Sequence, residues 1–185
     1  MLFRSLGTNY GPFDYYGSGS ATHVIVAMGS VTQTIEEVVD FINSHVGIKK
    51  AEEEVGVIKV HLYRPFSVEH FIGCIPETVE QISVLDRTKE AGSVGEPLLL
   101  DVIAALKGSK FENVPVYGGR YGLSSKDTTP EQIMAVYANH DKKRFTIGIE
   151  DDVTGLSLNV KKSVIGYTGH DELRSEEHTS ELQSR

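Results

Sequence analysis

The stretch from Val79 to Leu106 limits the possible folds more than any other part of the chain. Ile82-Ser83-Val84-Leu85 is a short apolar strand signal. It ends abruptly in charge, Asp86-Arg87-Thr88-Lys89-Glu90, and then in a small-residue loop, Ala91-Gly92-Ser93-Val94-Gly95. Glu96-Pro97 opens an apolar helix; proline suits a first helical turn, where its missing N–H would have had no partner. The polar residues therefore gather at the carboxyl end of a strand, the edge where ligands and neighbouring domains dock in open α/β sheets.

The same unit recurs upstream. His23 to Met28 (HVIVAM) is a continuous apolar run, as a strand buried on both faces requires. Gly29-Ser30 turns the chain, Ser30 standing as N-cap with Gln33 three residues on. Val31, Ile35, Val38, Val39 and Ile42 then mark one helical face. Val55 to Leu62 is a second strand. Ser67 is expected to cap a short helix with Val68, Phe71, Ile72 and Ile75 on its apolar face, and Pro76 stops it. Val114 to Tyr117 reads as a fourth strand, Gly118 to Gly122 as a loop needing backbone freedom, and Phe145 to Ile149 as a last strand. Thr129, Pro130 and Gln132 mark the start of another helix. Phe13 to Tyr16 is a candidate edge strand. The pattern predicts a three-layer α/β/α sandwich on a mostly parallel sheet of about five strands.

Composition excludes several function classes. A net charge of −8 argues against nucleic-acid or anionic-membrane binding. No apolar run reaches the roughly 18 residues of a membrane span, and no secretory signal segment is evident, which makes the cytoplasm the expected compartment. The single cysteine, Cys74, excludes an internal disulfide and any multi-cysteine metal or cluster site. Set among Phe71, Ile72 and Ile75, it reads as a small hydrophobe.

Few residues invite chemistry. His23, His45, His61, His70, His140 and His170 are scattered without ligand spacing and read as structural or solvated. Gly17-Ser18-Gly19-Ser20 precedes a strand, the wrong context for a phosphate loop. Glu150-Asp151-Asp152 on a turn reads as a solvated face rather than a cation site. Asp86, Arg87 and Lys89 at the strand end, with Arg64 at the end of the adjacent strand, are the candidate site. Local pairing, loop capping and contacts to a next domain are favoured there over binding of a small anion.

Five motifs in order carry a further signal: LYRPFS (Leu62 to Ser67), VLDRTKE (Val84 to Glu90), GEPL (Gly95 to Leu98), GGRYGLSSKD (Gly118 to Asp127) and GIEDDVT (Gly148 to Thr154). Together they resemble the second domain of pyruvate:ferredoxin (flavodoxin) oxidoreductase, which is similar to the C-terminal domain of transketolase. The resemblance runs from about Leu6 to Leu158. It implies a parent enzyme that oxidises pyruvate with coenzyme A to acetyl-coenzyme A and carbon dioxide and reduces ferredoxin or flavodoxin. It also implies thiamine diphosphate, Mg2+ and [4Fe–4S] clusters held by other domains, and a homodimeric parent. This chain has no GDG segment of the kind that commonly anchors thiamine diphosphate, and no CxxCxxC run. The resemblance therefore implies a packing domain that is inactive by itself. A 2-oxoglutarate-type oxidoreductase and a free-standing anion-binding module are the alternatives.

The two ends do not read as native protein. Arg174 to Ser184 (RSEEHTSELQS) is one reading frame of a common sequencing adapter, and Met1 to Ser5 is a frame of its complementary strand begun at a GTG codon. The expected organisation is adapter sequence at 1–5 and 174–185, a linker from a preceding domain at 6–20, the α/β domain at 21–141, and a linker or the start of a following domain at 142–173. The apolar helix carries its own expectation: eight of the nine residues from Leu98 to Leu106 are apolar, more than one sheet can cover. Part of it is expected to face another domain.

Overall fold

The apolar runs form the centre of one sheet. A computed structural model describes residues 11–44 and 54–160; the two proposed adapter ends lie outside them. In chain order the elements are β1 (Phe13–Gly17), β2 (His23–Met28), α1 (Val31–Ser44), β3 (Val55–Val60), α2 (Val68–Gly73), β4 (Gln81–Asp86), α3 (Pro97–Leu106), β5 (Val116–Arg120), α4 (Pro130–Tyr137) and β6 (Arg144–Thr146). The strand order is β1-β3-β2-β4-β5-β6. All pairings are parallel except β1 against β3, so the Phe13–Gly17 segment adds a sixth, antiparallel strand at one edge.

Alternation along the strands builds two cores. Val24, Val26, Ile82 and Val84 face a layer containing Phe71, Leu98, Leu99 and Val102. Ile25, Ala27, Val57 and Leu85 face Ile35, Val38, Val39, Ile133 and Val136. Helices α2 and α3 thus cover one face, and α1 and α4 the other. Each fully buried aliphatic or aromatic side chain contributes about 1.5–3 kcal/mol.

The central strands are buried on both faces because crossover helices cover both. The adjacent central strands β2 and β4 lead to helices on opposite faces, with Gly29-Ser30 and Asp86-Arg87 at their carboxyl ends.

Four local expectations are corrected. The Gly118-Gly119 pair lies inside β5 and not in a loop. A Cβ on Gly118 would stand 2.4 Å from Leu99, and one on Gly119 would stand 2.3 Å from Phe145 and 2.7 Å from Leu85. The glycines serve close packing on both faces, which local turn chemistry does not reveal. The last strand is Arg144–Thr146, shorter and earlier than Phe145 to Ile149. Ser67 makes no side-chain cap; its Oγ lies 2.7 Å from His70 Nδ1. Val68 is exposed, because a six-residue helix has only one short buried stripe, held by Phe71.

At α4, Gln132 Oε1 accepts the Thr129 amide at 3.4 Å, the reaching-back half of a capping box. At α1, both the amide and the hydroxyl of Thr32 donate to the Gly29 carbonyl, at 3.1 and 2.8 Å. Among the described residues no helix is long and apolar enough to cross a membrane.

Candidate functional site

The carboxyl edge of β4 meets the N-terminus of α3. Asp86 ends β4 pointing at the first turn of α3, with Oδ1 3.0 Å from the Leu98 amide and Oδ2 3.1 Å from the Leu99 amide. These amides are among the first-turn donors a helix cannot pair internally. Asp86 therefore supplies from another element the cap that Glu96, at the N-cap position with no side-chain cap bond, does not. Burial pushes the Asp86 carboxyl above its ordinary value, against the pull of the Leu98 and Leu99 amides; Glu96 and Asp101 push the same way as burial.

Glu96 is spent elsewhere. Its side chain is 4% exposed and pairs with two guanidinium groups, Arg120 Nε at 2.5 Å and Arg144 Nη1 at 3.2 Å. Arg144 Nη2 also donates to the Val94 carbonyl at 2.5 Å. One buried carboxylate thus ties the start of α3 to the last residue of β5 and the first of β6, and Arg144 also holds the loop between β4 and α3. None of the three was singled out from sequence. The signal present was a glutamate directly before a first-turn proline, and nothing local identified its partners 24 and 48 residues away.

Arg64 stands on the flank. Its Nη2 is 2.8 Å from Asp101 on α3, and its guanidinium lies 4.0 Å from the centroid of the Tyr63 ring. The Tyr63 hydroxyl donates to the same Asp101 oxygen at 2.6 Å. Burial first, and then Asp101, push the Tyr63 hydroxyl up to about 12. Arg87 and Lys89 are exposed and form no ion pair among the described residues. Arg87 passes over Gly122, where an added Cβ would stand 3.0 Å from its Nε. The structure therefore ties both Arg64 and Asp86 to α3, one through Asp101 and the other through the first-turn amides, and leaves Arg87 and Lys89 exposed.

A second polar cluster lies at the opposite, amino edge of the sheet. His23 begins β2 and sits beside Gln81, the first residue of β4. His23 Nδ1 lies 3.2 Å from the Tyr137 carbonyl, which can only accept, so this nitrogen carries the proton. Nε2 then accepts from the Ser83 hydroxyl at 2.9 Å and the Gln81 amide at 3.2 Å. Gln81 also donates to the Asn139 carbonyl at 2.8 Å and accepts from His140 at 3.2 Å. Burial, reinforced by nearby His140, drives the His23 imidazole down to about 3.

The remaining polar motifs serve local structure. Ser20 Oγ donates to the Glu54 carboxylate at 2.5 Å, and Ser18 Oγ donates to the same oxygen. Asp152 accepts from the Ser157 amide at 2.7 Å and the Thr154 hydroxyl at 2.8 Å, which lowers its carboxyl below the ordinary range. Cys74 is half-buried, its thiol 3.5 Å from the Phe13 carbonyl, and burial pushes that thiol up. A [4Fe–4S] cluster needs about four thiolates, and one cysteine does not fit it. Among the described residues no group of three or more His, Cys, Asp or Glu is placed to hold a metal ion.

Comparisons with known proteins give this geometry its context. The chain is 46% identical over 168 residues to a pyruvate-flavodoxin oxidoreductase of Rhodospirillum rubrum, covering 85% of this chain and 14% of that protein. It is 48% identical over 162 residues to the pyruvate:ferredoxin oxidoreductase of Moorella thermoacetica, covering 85% of this chain and 13% of the relative. A solved chain of 2-oxoglutarate:ferredoxin oxidoreductase from Magnetococcus marinus superposes with a TM-score of 0.49 at 17% identity, over 73% of this chain and 20% of that one. The chain thus spans about a seventh of the length of the curated relatives named here. Residues 21–133 match the family model of the pyruvate:ferredoxin oxidoreductase core domain II, and the chain belongs to that family.

Proposed function

We propose that this chain is the second core domain of a longer 2-oxoacid oxidoreductase, and that its work is packing rather than chemistry. The parent enzyme converts pyruvate and coenzyme A to acetyl-coenzyme A and carbon dioxide and reduces ferredoxin or flavodoxin. Thiamine diphosphate, Mg2+ and [4Fe–4S] clusters reside in its other domains. The parent works in the cytoplasm as a homodimer. The observation that carries this reading is 46% identity, over most of the chain, to a relative named as a pyruvate oxidoreductase. Pyruvate is favoured over 2-oxoglutarate because relatives at this level of identity are named for pyruvate.

Within the domain, residues 21–141 form the main packing unit, and the flanking stretches at 6–20 and 142–173 contribute its edge strands β1 and β6 before leading to neighbouring domains. The strand-end loop with Arg64, Asp86, Arg87 and Lys89 lies at the boundary with a neighbouring domain. Support comes from the exposed cations of Arg87 and Lys89, without an ion pair among the described residues and set next to a helix start already closed by Asp86. Asp86 itself is committed to α3.

The test is enzymatic. The full-length polypeptide, cloned with its flanking gene sequence, should oxidise pyruvate in the presence of coenzyme A and reduce ferredoxin or flavodoxin. The 185-residue chain alone should show neither turnover nor calorimetric binding of thiamine diphosphate. A full-length protein that turns over 2-oxoglutarate but not pyruvate refutes the substrate assignment, and saturable thiamine diphosphate binding by the chain alone refutes the packing role.

A further inference from the structure

The outward side of α3 is built as a docking surface. Leu98, Leu99, Val102, Ala105 and Leu106 are buried against the sheet and α2. The opposite stripe is also apolar: Leu100 is half-buried, Ile103 is 45% exposed and Ala104 is exposed. Positions i, i+3 and i+4 lie one above another on a helix and form a ridge. Val94, 82% exposed, extends the stripe beyond the helix start. It is held by the bond from Arg144 to its carbonyl, and the adjoining Gly95 packs against Leu100. The apolar surface is therefore fixed before anything binds it, which lowers the ordering cost of association.

Toward the start of the helix the more exposed partner of each ion pair is the cation. Arg144 is 42% exposed and Arg64 is 57% exposed, whereas their carboxylate partners Glu96 and Asp101 are 4% and 27% exposed. At the other end Lys107 is exposed, followed by Gly108, whose amide donates to the exposed Glu112 carboxylate at 3.2 Å. A partner approaching the start of this face meets Arg64 and Arg144 beside an apolar centre, on a chain whose net charge is −8. A second copy laid face to face would set these cations against one another, which disfavours self-association here.

We propose that this face receives an amphipathic helix from another region of the same longer polypeptide, with an apolar stripe at helical spacing flanked by Asp and Glu. The proposal rests on the packing role argued above and names its occupant. Ala104 is small and lets a helix axis approach closely at its end of the ridge, and Leu100 and Ile103 supply the neighbouring knobs. The share of the relatives' length not matched here, 86% in the Rhodospirillum protein, leaves ample chain to provide it.

The experiment is cysteine protection at Ile103. In a Cys74→Ala background, Ile103→Cys is introduced into both the 185-residue chain and the full-length protein, and maleimide labelling rates are compared. The full-length protein should label at least about tenfold more slowly, because labelling must then wait for the covering element to open. A photo-crosslinker at position 103 of the full-length protein should capture a helical segment of the same polypeptide flanked by carboxylates. Equal labelling rates overturn the proposal. So does a crosslink to a second copy or to a segment without that charge pattern. Pyruvate turnover by the full-length protein is measured in parallel. Protection without pyruvate turnover rejects the enzymatic reading and leaves the docked helix standing. Turnover without protection does the reverse.

Discussion

The two edges of the sheet solve the problem of buried polarity differently. At the amino edge, His23, Gln81, Ser83, Asn139 and His140 form a hydrogen-bonded network in which the tautomer of one imidazole is dictated by one carbonyl. At the carboxyl edge, Asp86, Glu96, Arg120 and Arg144 carry formal charge, and Asp86 is matched to amides instead of a cation. Neutral groups can be buried once their hydrogen bonds are made, whereas buried charges need an opposite charge or a helix end as well. The amino edge is therefore closed and self-sufficient. The carboxyl edge keeps two guanidinium groups partly in solvent.

Breaking the charged edge should have the largest effect. Glu96→Ala leaves Arg120 and Arg144 facing each other without their shared carboxylate. The expected loss is about 3 kcal/mol, the low end for breaking a buried pair because both arginines are partly solvated. Urea unfolding of the chain measures it. A loss below about 1 kcal/mol would mean that Glu96 behaves like an ordinary surface residue. Asp86→Ala should cost about 2 kcal/mol, the upper range for a cap, since two amides lose their acceptor together. Asp86→Asn keeps one oxygen and should recover part of that loss. Full recovery by Asp86→Asn would show that the bidentate geometry is not what matters.

Acid sharpens the comparison, because the two edges respond to it with opposite sign. The His23 imidazole lies at about 3 in the fold against 6.5 ordinarily, so its contribution is complete above pH 6.5 and is lost as pH falls from there towards 3. That loss approaches ~1.4 kcal/mol per pH unit, the value of one proton. The Asp86 carboxyl is raised above 3.8, so its contribution is complete below 3.8 and fades as pH rises through the raised value. Stability of the unmodified chain should fall between pH 6.5 and 4.5. His23→Gln should start lower and show a flatter slope over that range, and an unchanged slope would assign the proton to another group.

The smallest effect is reserved for a control. Lys110 and Glu77 form an ion pair in which both side chains are more than half exposed. Lys110→Met should change stability by about 0.5 kcal/mol or less, with the difference vanishing in high salt. A larger change would mean that exposed pairs on this protein are stronger than the contrast between its edges assumes.

Much of the fold was legible in the chain. Continuous apolar runs at His23 to Met28 and Ile82 to Leu85 can hardly be anything but strands covered twice, and the period of Val31, Ile35, Val38 and Val39 fixes a helix between strands. Glu96-Pro97 marked the start of α3, and the five ordered motifs pointed to the family. The site was less legible. Asp86 and Arg64 stood out because a charge that ends an apolar strand is conspicuous in one dimension. Glu96, Arg120 and Arg144 did not, because what makes them a unit is a register between β5 and β6 and the position of α3 over both.

The sequence by itself determined the element types, the layer architecture and the excess apolarity of α3, because these depend on periodicity and composition within windows of about ten residues. Only the tertiary structure decided which carboxylate caps which helix, which histidine nitrogen carries the proton, and that Gly118 and Gly119 lie inside a strand under Leu99, Phe145 and Leu85. Those outcomes depend on groups far apart in the chain arriving within about 3 Å of one another, a distance at which hydrogen bonds form and van der Waals contacts become repulsive. No local pattern encodes such a meeting; it exists only once the sheet has set its register.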